Sequence, residues 1–204
     1  MKRPRPVKHS VKFKKYNELE SKLNFDIYTL KHSFNVARYS VRLLRQLQYD
    51  VDESVMYFAG LFHDIGKSKI DPDILNKNGI LSVQEFSCIE NHSFLGYNML
   101  LERDIHPSIQ TSAFFHHERF DGMGYPLGLK GDEIPVSARI ISICDVFDAL
   151  TSDRSYRKAY SFQEAVMIMR NQCGQFDPVI LKVFFSNIQK ITCQEDCDFF
   201  HSPF

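Results

Sequence analysis

Apolar side chains recur at steps of three and four along most of the chain, which predicts helices rather than strands. Leu30, Phe34, Ala37, Val41 and Leu44 mark one face of a helix over residues 28–47. A second helix over 52–63 reads DESVMYFAGLFH, with Asp52 as its N-cap and Glu53 in its first turn. It is apolar nearly all round from Val55, which places it centrally, and Gly66 permits a break after it.

Ser82-Val83-Gln84-Glu85 is a capping box that opens a helix to about residue 102. Pro107 suits the first turn of the next helix, to about residue 118. Residues 119–134 hold four Gly and one Pro and read as a structured loop. Pro135 opens a helix over 136–150 rich in Ile, Val and Ala. Ser161 to Glu164 is a second capping box, with Gly174 as the stop. Asp177-Pro178 caps a last helix to about residue 190. Strand-like alternation is scarce, and the fold class is all-α.

At 204 residues the chain suits one domain, large enough to fold without disulfides or metal. A hydrophobic share of 44% excludes wholesale disorder. The formal net charge is zero, but unevenly laid out. Residues 1–22 carry eight basic and two acidic side chains, and the remainder 17 basic and 23 acidic, so +6 opposes −6. Residues 1–24 read as a basic, flexible arm, 25–190 as the domain and 191–204 as a tail. The arm lacks the apolar core of a signal peptide, and no window has the 18 or so apolar residues of a membrane helix. Five Cys without disulfide-framework spacing suit a reducing, cytoplasmic setting.

Eight His are the unusual feature. His32, His63-Asp64, His92, His116-His117 and Asp145 each fall on or beside a predicted helix with apolar neighbours. Asp64 follows FAGLFH and Asp145 follows RIISIC, so both carboxylates are expected buried, where a charge needs a partner or a metal. Imidazole and carboxylate donors together suit first-row divalent ions. Side chains at His116 and His117 would point about 100° apart on a helix. They would reach different faces of one metal cluster, or two metals. His9, His106 and His201 have no partner in this pattern and read as surface residues.

LFHDIGKSKI resembles the His-Asp motif of the HD metal-dependent phosphohydrolase superfamily. HHERFDGMGYPLGLKGDEIP and ARIISICDVFDALTSDRSYRKA resemble the extended signature of its HD-GYP subfamily, the cyclic di-GMP phosphodiesterases. The resemblance runs from about Asp26 to at least Phe184. It implies an HD-domain helical bundle with a structured GYP loop. It implies His32, His63, Asp64, His92, His116, His117 and Asp145 as metal ligands, with Asp64 bridging two ions. Lys67 would reach the scissile phosphate, and Arg154 and Arg157 would hold phosphates of the ligand. Gly124, Tyr125 and Pro126 would form the loop beside the pocket. Asp148, one turn after Asp145, is expected behind the ligands and paired with Lys67. Arg154 and Arg157 also suit plain surface charges, and Tyr125 a turn or a partner contact.

Some members of that subfamily carry Glu four residues before the early His, where this chain has Tyr28. Tyr is a poor ligand at neutral pH, with a reference pKa of ~10. The expectation is therefore two divalent ions, iron or manganese first, then zinc, nickel or magnesium. Two ions about 3.5–4 Å apart can clamp a phosphate and activate water for in-line displacement. The implied reaction opens cyclic di-GMP to linear pGpG, with a second cut to GMP left open. Another cyclic dinucleotide, another nucleotide, or a sensing and docking role are the rival readings. The implied partners are the dinucleotide, a diguanylate cyclase (GGDEF) domain at the GYP loop, and a second copy in a homodimer, with no DNA or RNA.

Overall fold

The computed structural model describes residues 16, 18, 19, 27–77, 79–153, 157–172 and 174–193. Among them the chain is helical and has no strand. The order is α1 (Ile27–Leu44), α2 (Glu53–Phe62), a 3-10 turn (Ile65–Lys69), α3 (Pro72–Leu75), α4 (Val83–Glu90) and α5 (His92–Leu101). Then follow α6 (Pro107–Phe115), a second 3-10 turn (Gly131–Glu133), α7 (Val136–Thr151), α8 (Phe162–Asn171) and α9 (Pro178–Thr192).

The caps read from the sequence set the helix starts. Asp52 accepts from the amides of Ser54 and Val55 at 2.8 and 3.1 Å. Both capping boxes are formed, Ser82 with Glu85 and Ser161 with Glu164. Asp177 caps α9 through the amides of Val179 and Ile180. His106 is not an idle surface residue, because its Nδ1 accepts from the Ser108 amide at 3.2 Å and caps α6.

As expected, α2 is central: Met56, Phe58, Leu61 and Phe62 are buried between α1 and α6. Burying each such side chain is worth about 1.5–3 kcal/mol. α7 lies on α1 and α6 and buries Ile140, Ile141, Ile143, Cys144 and Phe147. α9 packs on α1 and α7, α8 on α7, and α5 against α6 and the first 3-10 turn. The functional residues sit where these helices end or cross.

The predicted helix over 82–102 is two helices parted at Asn91. Beside the break, Nδ1 of His92 takes the Ile89 carbonyl at 2.6 Å, so a ring nitrogen uses a backbone acceptor there. α6 also stops three residues early, and His117 and Glu118 lie beyond it. α9 runs two residues further than expected, into the predicted tail, and buries Ile191. Most of the basic arm, Arg154, Cys173 and residues 194–204 lie outside the described residues. No helix among the described residues is long and apolar enough to cross a membrane.

Candidate metal centre

Five helices deliver the expected donors to one place. His32 comes from the middle of α1, and His63 and Asp64 from the end of α2. His92 opens α5, His116 and His117 follow the end of α6, and Asp145 lies in α7. Crossing Gly66 over α5 makes this convergence possible. A Cβ on Gly66 would lie 1.9 Å from the His92 carbonyl oxygen and 2.5 Å from the Gly96 amide nitrogen. Gly66 thus permits more than a break, since it lets the Asp64 turn approach His92.

The two oxygens of Asp64 face different neighbours. Oδ1 lies 3.3 Å from His92 Nε2 and 3.7 Å from His116 Nε2. Oδ2 lies 3.3 Å from His63 Nε2 and 3.9 Å from His32 Nε2. Asp145 Oδ1 is 3.0 Å from His32 Nε2 and 3.9 Å from His63 Nε2. Two donor sets result: Asp64, His92, His116 and His117 on one side, and His32, His63 and Asp145 on the other. In each set the donor atoms lie within 4.8 Å of one another. His116 and His117, with ring centroids 4.0 Å apart, serve the same set.

The hydrogen bonds fix which ring nitrogen faces inward. Nδ1 of His63, His92 and His116 meets the carbonyl three residues earlier, at Gly60, Ile89 and Ala113, at 2.7, 2.6 and 3.0 Å. An Nδ1–H donated outward leaves Nε2 with its lone pair toward the centre. His32 also bonds outward through Nδ1, to a carboxylate, 2.6 Å from Asp148 Oδ2, and turns Nε2 toward the centre. His63 Nε2 and Asp64 Oδ1 are buried without a hydrogen-bond partner, close though their neighbours are. Buried polar atoms left this way are costly unless something binds them. The donor chemistry and these orphaned atoms fit divalent ions with oxygen and nitrogen ligands.

The electrostatics agree with that fit. Burial pushes the Asp64 carboxyl up, but the charge of Lys67 outweighs it and holds the group well below its usual range. Burial likewise opposes ionisation of Asp145, and the hydrogen bond and charge of His32 pull it down. Burial lowers His116 to about 4 and also lowers His117, which His116 depresses further, so both are neutral donors at pH 7.

A family model described as "HD domain" matches residues 13–180. The chain belongs to the HD domain family. It is 41% identical over 163 residues to a cyclic di-GMP phosphodiesterase of Pseudomonas aeruginosa, covering 78% of this chain and 39% of that protein. It is 40% identical over 167 residues to a 3'3'-cGAMP-specific phosphodiesterase of Vibrio cholerae, covering 80% and 38%. The chain thus spans about two fifths of the length of these relatives. Among solved structures, a phosphodiesterase HD domain of L. monocytogenes matches with a TM-score of 0.61 at 17% identity, covering 85% of this chain and 94% of that one. A HDG"Y"P protein from Bdellovibrio bacteriovorus matches with a TM-score of 0.64 at 19% identity, covering 85% and 56%. Those likenesses show the all-α HD fold.

Other expected residues of this HD domain divide. Lys67 lies in the 3-10 turn and donates to Asp64 Oδ2 at 2.5 Å, so it pairs with Asp64 and not with Asp148. Asp148 instead accepts from Asn35 at 2.8 Å and from Ser152 at 3.2 Å besides meeting His32. Tyr125 stacks on His117, with ring centroids 4.8 Å apart and planes 29° apart, and its peptide to Pro126 is cis. Gly124 is confined to glycine, because a Cβ would meet the Arg119 nitrogen at 2.3 Å and the His117 oxygen at 2.5 Å.

Arg157, expected at a phosphate, contacts the protein's own backbone in this structure. Its guanidinium donates to the carbonyls of Ala149, Leu150 and Lys158 at 2.6, 3.4 and 2.8 Å and lies over the Tyr160 ring. The fork thus reaches carbonyls in the last turn of α7, where helix geometry leaves acceptors free for such partners, and Leu150 also accepts the Tyr160 amide at 2.9 Å. Tyr28 is exposed on α1, one turn before His32. Sequence reasoning passed over Asn35 and Glu118. Asn35 lies three residues after His32, a spacing that signals a shared helix face. Glu118 directly follows the His pair, and only the folded loop shows its partners.

Proposed function

We propose that this HD domain is a metal-dependent phosphodiesterase that opens cyclic di-GMP to linear pGpG. The single observation that carries the reading is Asp64, whose two oxygens face two separate groups of imidazole and carboxylate donors. That arrangement supports a pair of ions joined by one carboxylate, with iron or manganese favoured by the mixed donors. Such ions, when bound, supply Lewis-acid activation of a phosphodiester and of the attacking water.

The protein's own groups prepare the site for an anion. Outward hydrogen bonds from Nδ1 hold the inner rings in one tautomer. Lys67, about one-fifth exposed at its side chain, sets an ammonium beside Asp64 where a phosphate could reach it. A positive charge there favours a transition state that gains negative charge. The partly exposed edges of Asp145 and His117 mark the open side of the centre.

A second reading keeps the chemistry and changes the substrate to 3'3'-cGAMP, because a relative of almost equal identity is named specific for it. Purified protein loaded with manganese, or with iron anaerobically, would be given both dinucleotides and the products separated. Linear pGpG formed faster than the linear product of 3'3'-cGAMP supports the first reading, and the reverse order the second. Folded, metal-loaded protein that cleaves neither would overturn both and leave a binding module.

A further inference from the structure

We infer that Glu118 is a positioning residue for the metal centre, acting through Tyr125 on His117; this rests on the metal-centre reading above. Glu118 is a buried carboxylate, 3% exposed, directly after the two ligand candidates, and it does not point at them. Its Oε1 accepts the Leu127 amide at 2.7 Å and its Oε2 the Leu129 amide at 3.0 Å. Both amides belong to the loop that carries Gly124, Tyr125 and Pro126. The Tyr125 amide in turn donates to the His117 carbonyl at 3.3 Å.

His117 needs such help. His32, His63, His92 and His116 are each oriented by a hydrogen bond from Nδ1. Among the described residues, the His117 ring has no corresponding hydrogen bond, and three rings pack against it. His92 meets it edge-on at 5.0 Å, His116 lies at 4.0 Å, and Tyr125 stacks on it at 4.8 Å. Stacking on an imidazole fixes its plane without constraining its nitrogens. The plane of the fifth histidine is therefore set by the loop, and the loop by Glu118.

The test measures manganese affinity by calorimetry and amide exchange over residues 122–130, so it does not depend on turnover. Glu118→Gln keeps one acceptor oxygen and loses the second, and Glu118→Ala loses both. Each should speed exchange at Leu127 and Leu129 and weaken manganese binding by about 10–100-fold, the usual cost of losing support behind a ligand. Tyr125→Ala should weaken binding similarly, and Tyr125→Phe, which keeps the ring, should restore it. The Glu118→Gln, Tyr125→Ala double variant should bind about as well as the weaker single, since both act on one plane.

Wild-type affinity in Tyr125→Ala, or full additivity in the double variant, would overturn the inference. Should Glu118→Ala fail to fold, Glu118→Gln and the Tyr125 pair still decide it. Wild-type protein that binds manganese but cleaves no dinucleotide defeats the phosphodiesterase reading alone. Wild-type protein that takes up no manganese overturns both.

Discussion

His32 and Asp148, 116 residues apart in sequence, share a 2.6 Å hydrogen bond between Nδ1 and Oδ2. The bond joins the middle of α1 to α7 and turns His32 Nε2 toward Asp145 and Asp64. Asn35 and Ser152 hold the other oxygen of Asp148, so that carboxylate is itself fixed. Asp148→Asn puts an amide where an anion accepted the imidazole proton. The expected outcome is a folded protein with about 10–100-fold weaker manganese binding, measured by calorimetric titration.

Metal uptake should be coupled to a proton at His32. Burial alone would lower its pKa, but hydrogen bonds to Asp145 and Asp148 overcome that and raise it to about 9. The metal-free ring is therefore doubly protonated at pH 7, and a ligand needs Nε2 bare. One proton should leave on binding, with affinity rising about tenfold per pH unit until pH 9. Titrations in buffers of different ionisation enthalpy count that proton. The raised folded value also stabilises the metal-free protein below pH 6.5, and this contribution is lost as pH rises through about 9. Thermal unfolding of chelator-treated protein across that window checks the sign.

Asp64→Ala removes the one carboxylate whose two oxygens face both donor sets. The expectation is loss of both ions by elemental analysis and loss of turnover, where a change at Asp145 leaves the His92 side intact.

Lys67→Ala takes away the ammonium beside Asp64 Oδ2 and no metal donor. Metal content should stay at the wild-type level while kcat falls at least tenfold. Equal loss of metal and rate would show that the ammonium holds Asp64 in place and does nothing further.

Arg157→Ala should act on stability more than on substrate. Its guanidinium caps carbonyls at the end of α7, and about 1 kcal/mol is a fair value for such partly exposed bonds. A lowered Tm with an unchanged KM is the expected pair of results. A raised KM at unchanged Tm would return Arg157 to the phosphate role that its motif implies.

Much of the fold was legible because its signals are local. Asp52, Ser82, Ser161 and Asp177 act within three residues of themselves, and each caps the helix that its spacing foretold. The break at Asn91 was not legible, because the continuous apolar pattern of α4 and α5 does not record that a ring nitrogen takes the Ile89 carbonyl. The helix-end contacts of Arg157 were not legible for a related reason. A charged side chain in a motif looks the same whether its partner is a phosphate or a helix end.

The sequence by itself determined an all-α chain, its helix starts, and seven donors of the right chemistry: five imidazoles and two carboxylates that apolar neighbours commit to burial. Residue type and local spacing are enough for that, since burial of His and Asp demands partners wherever they meet. Only the tertiary structure decided how the donors divide. The division depends on crossing helices: Gly66 against His92 and Gly96, and α1 against α7 at His32 and Asp148. It also decided that Lys67 pairs with Asp64, that Arg157 caps a helix, and that Glu118 holds the loop beneath Tyr125. Those are contacts between distant or loop residues, set by packing geometry that no local pattern encodes.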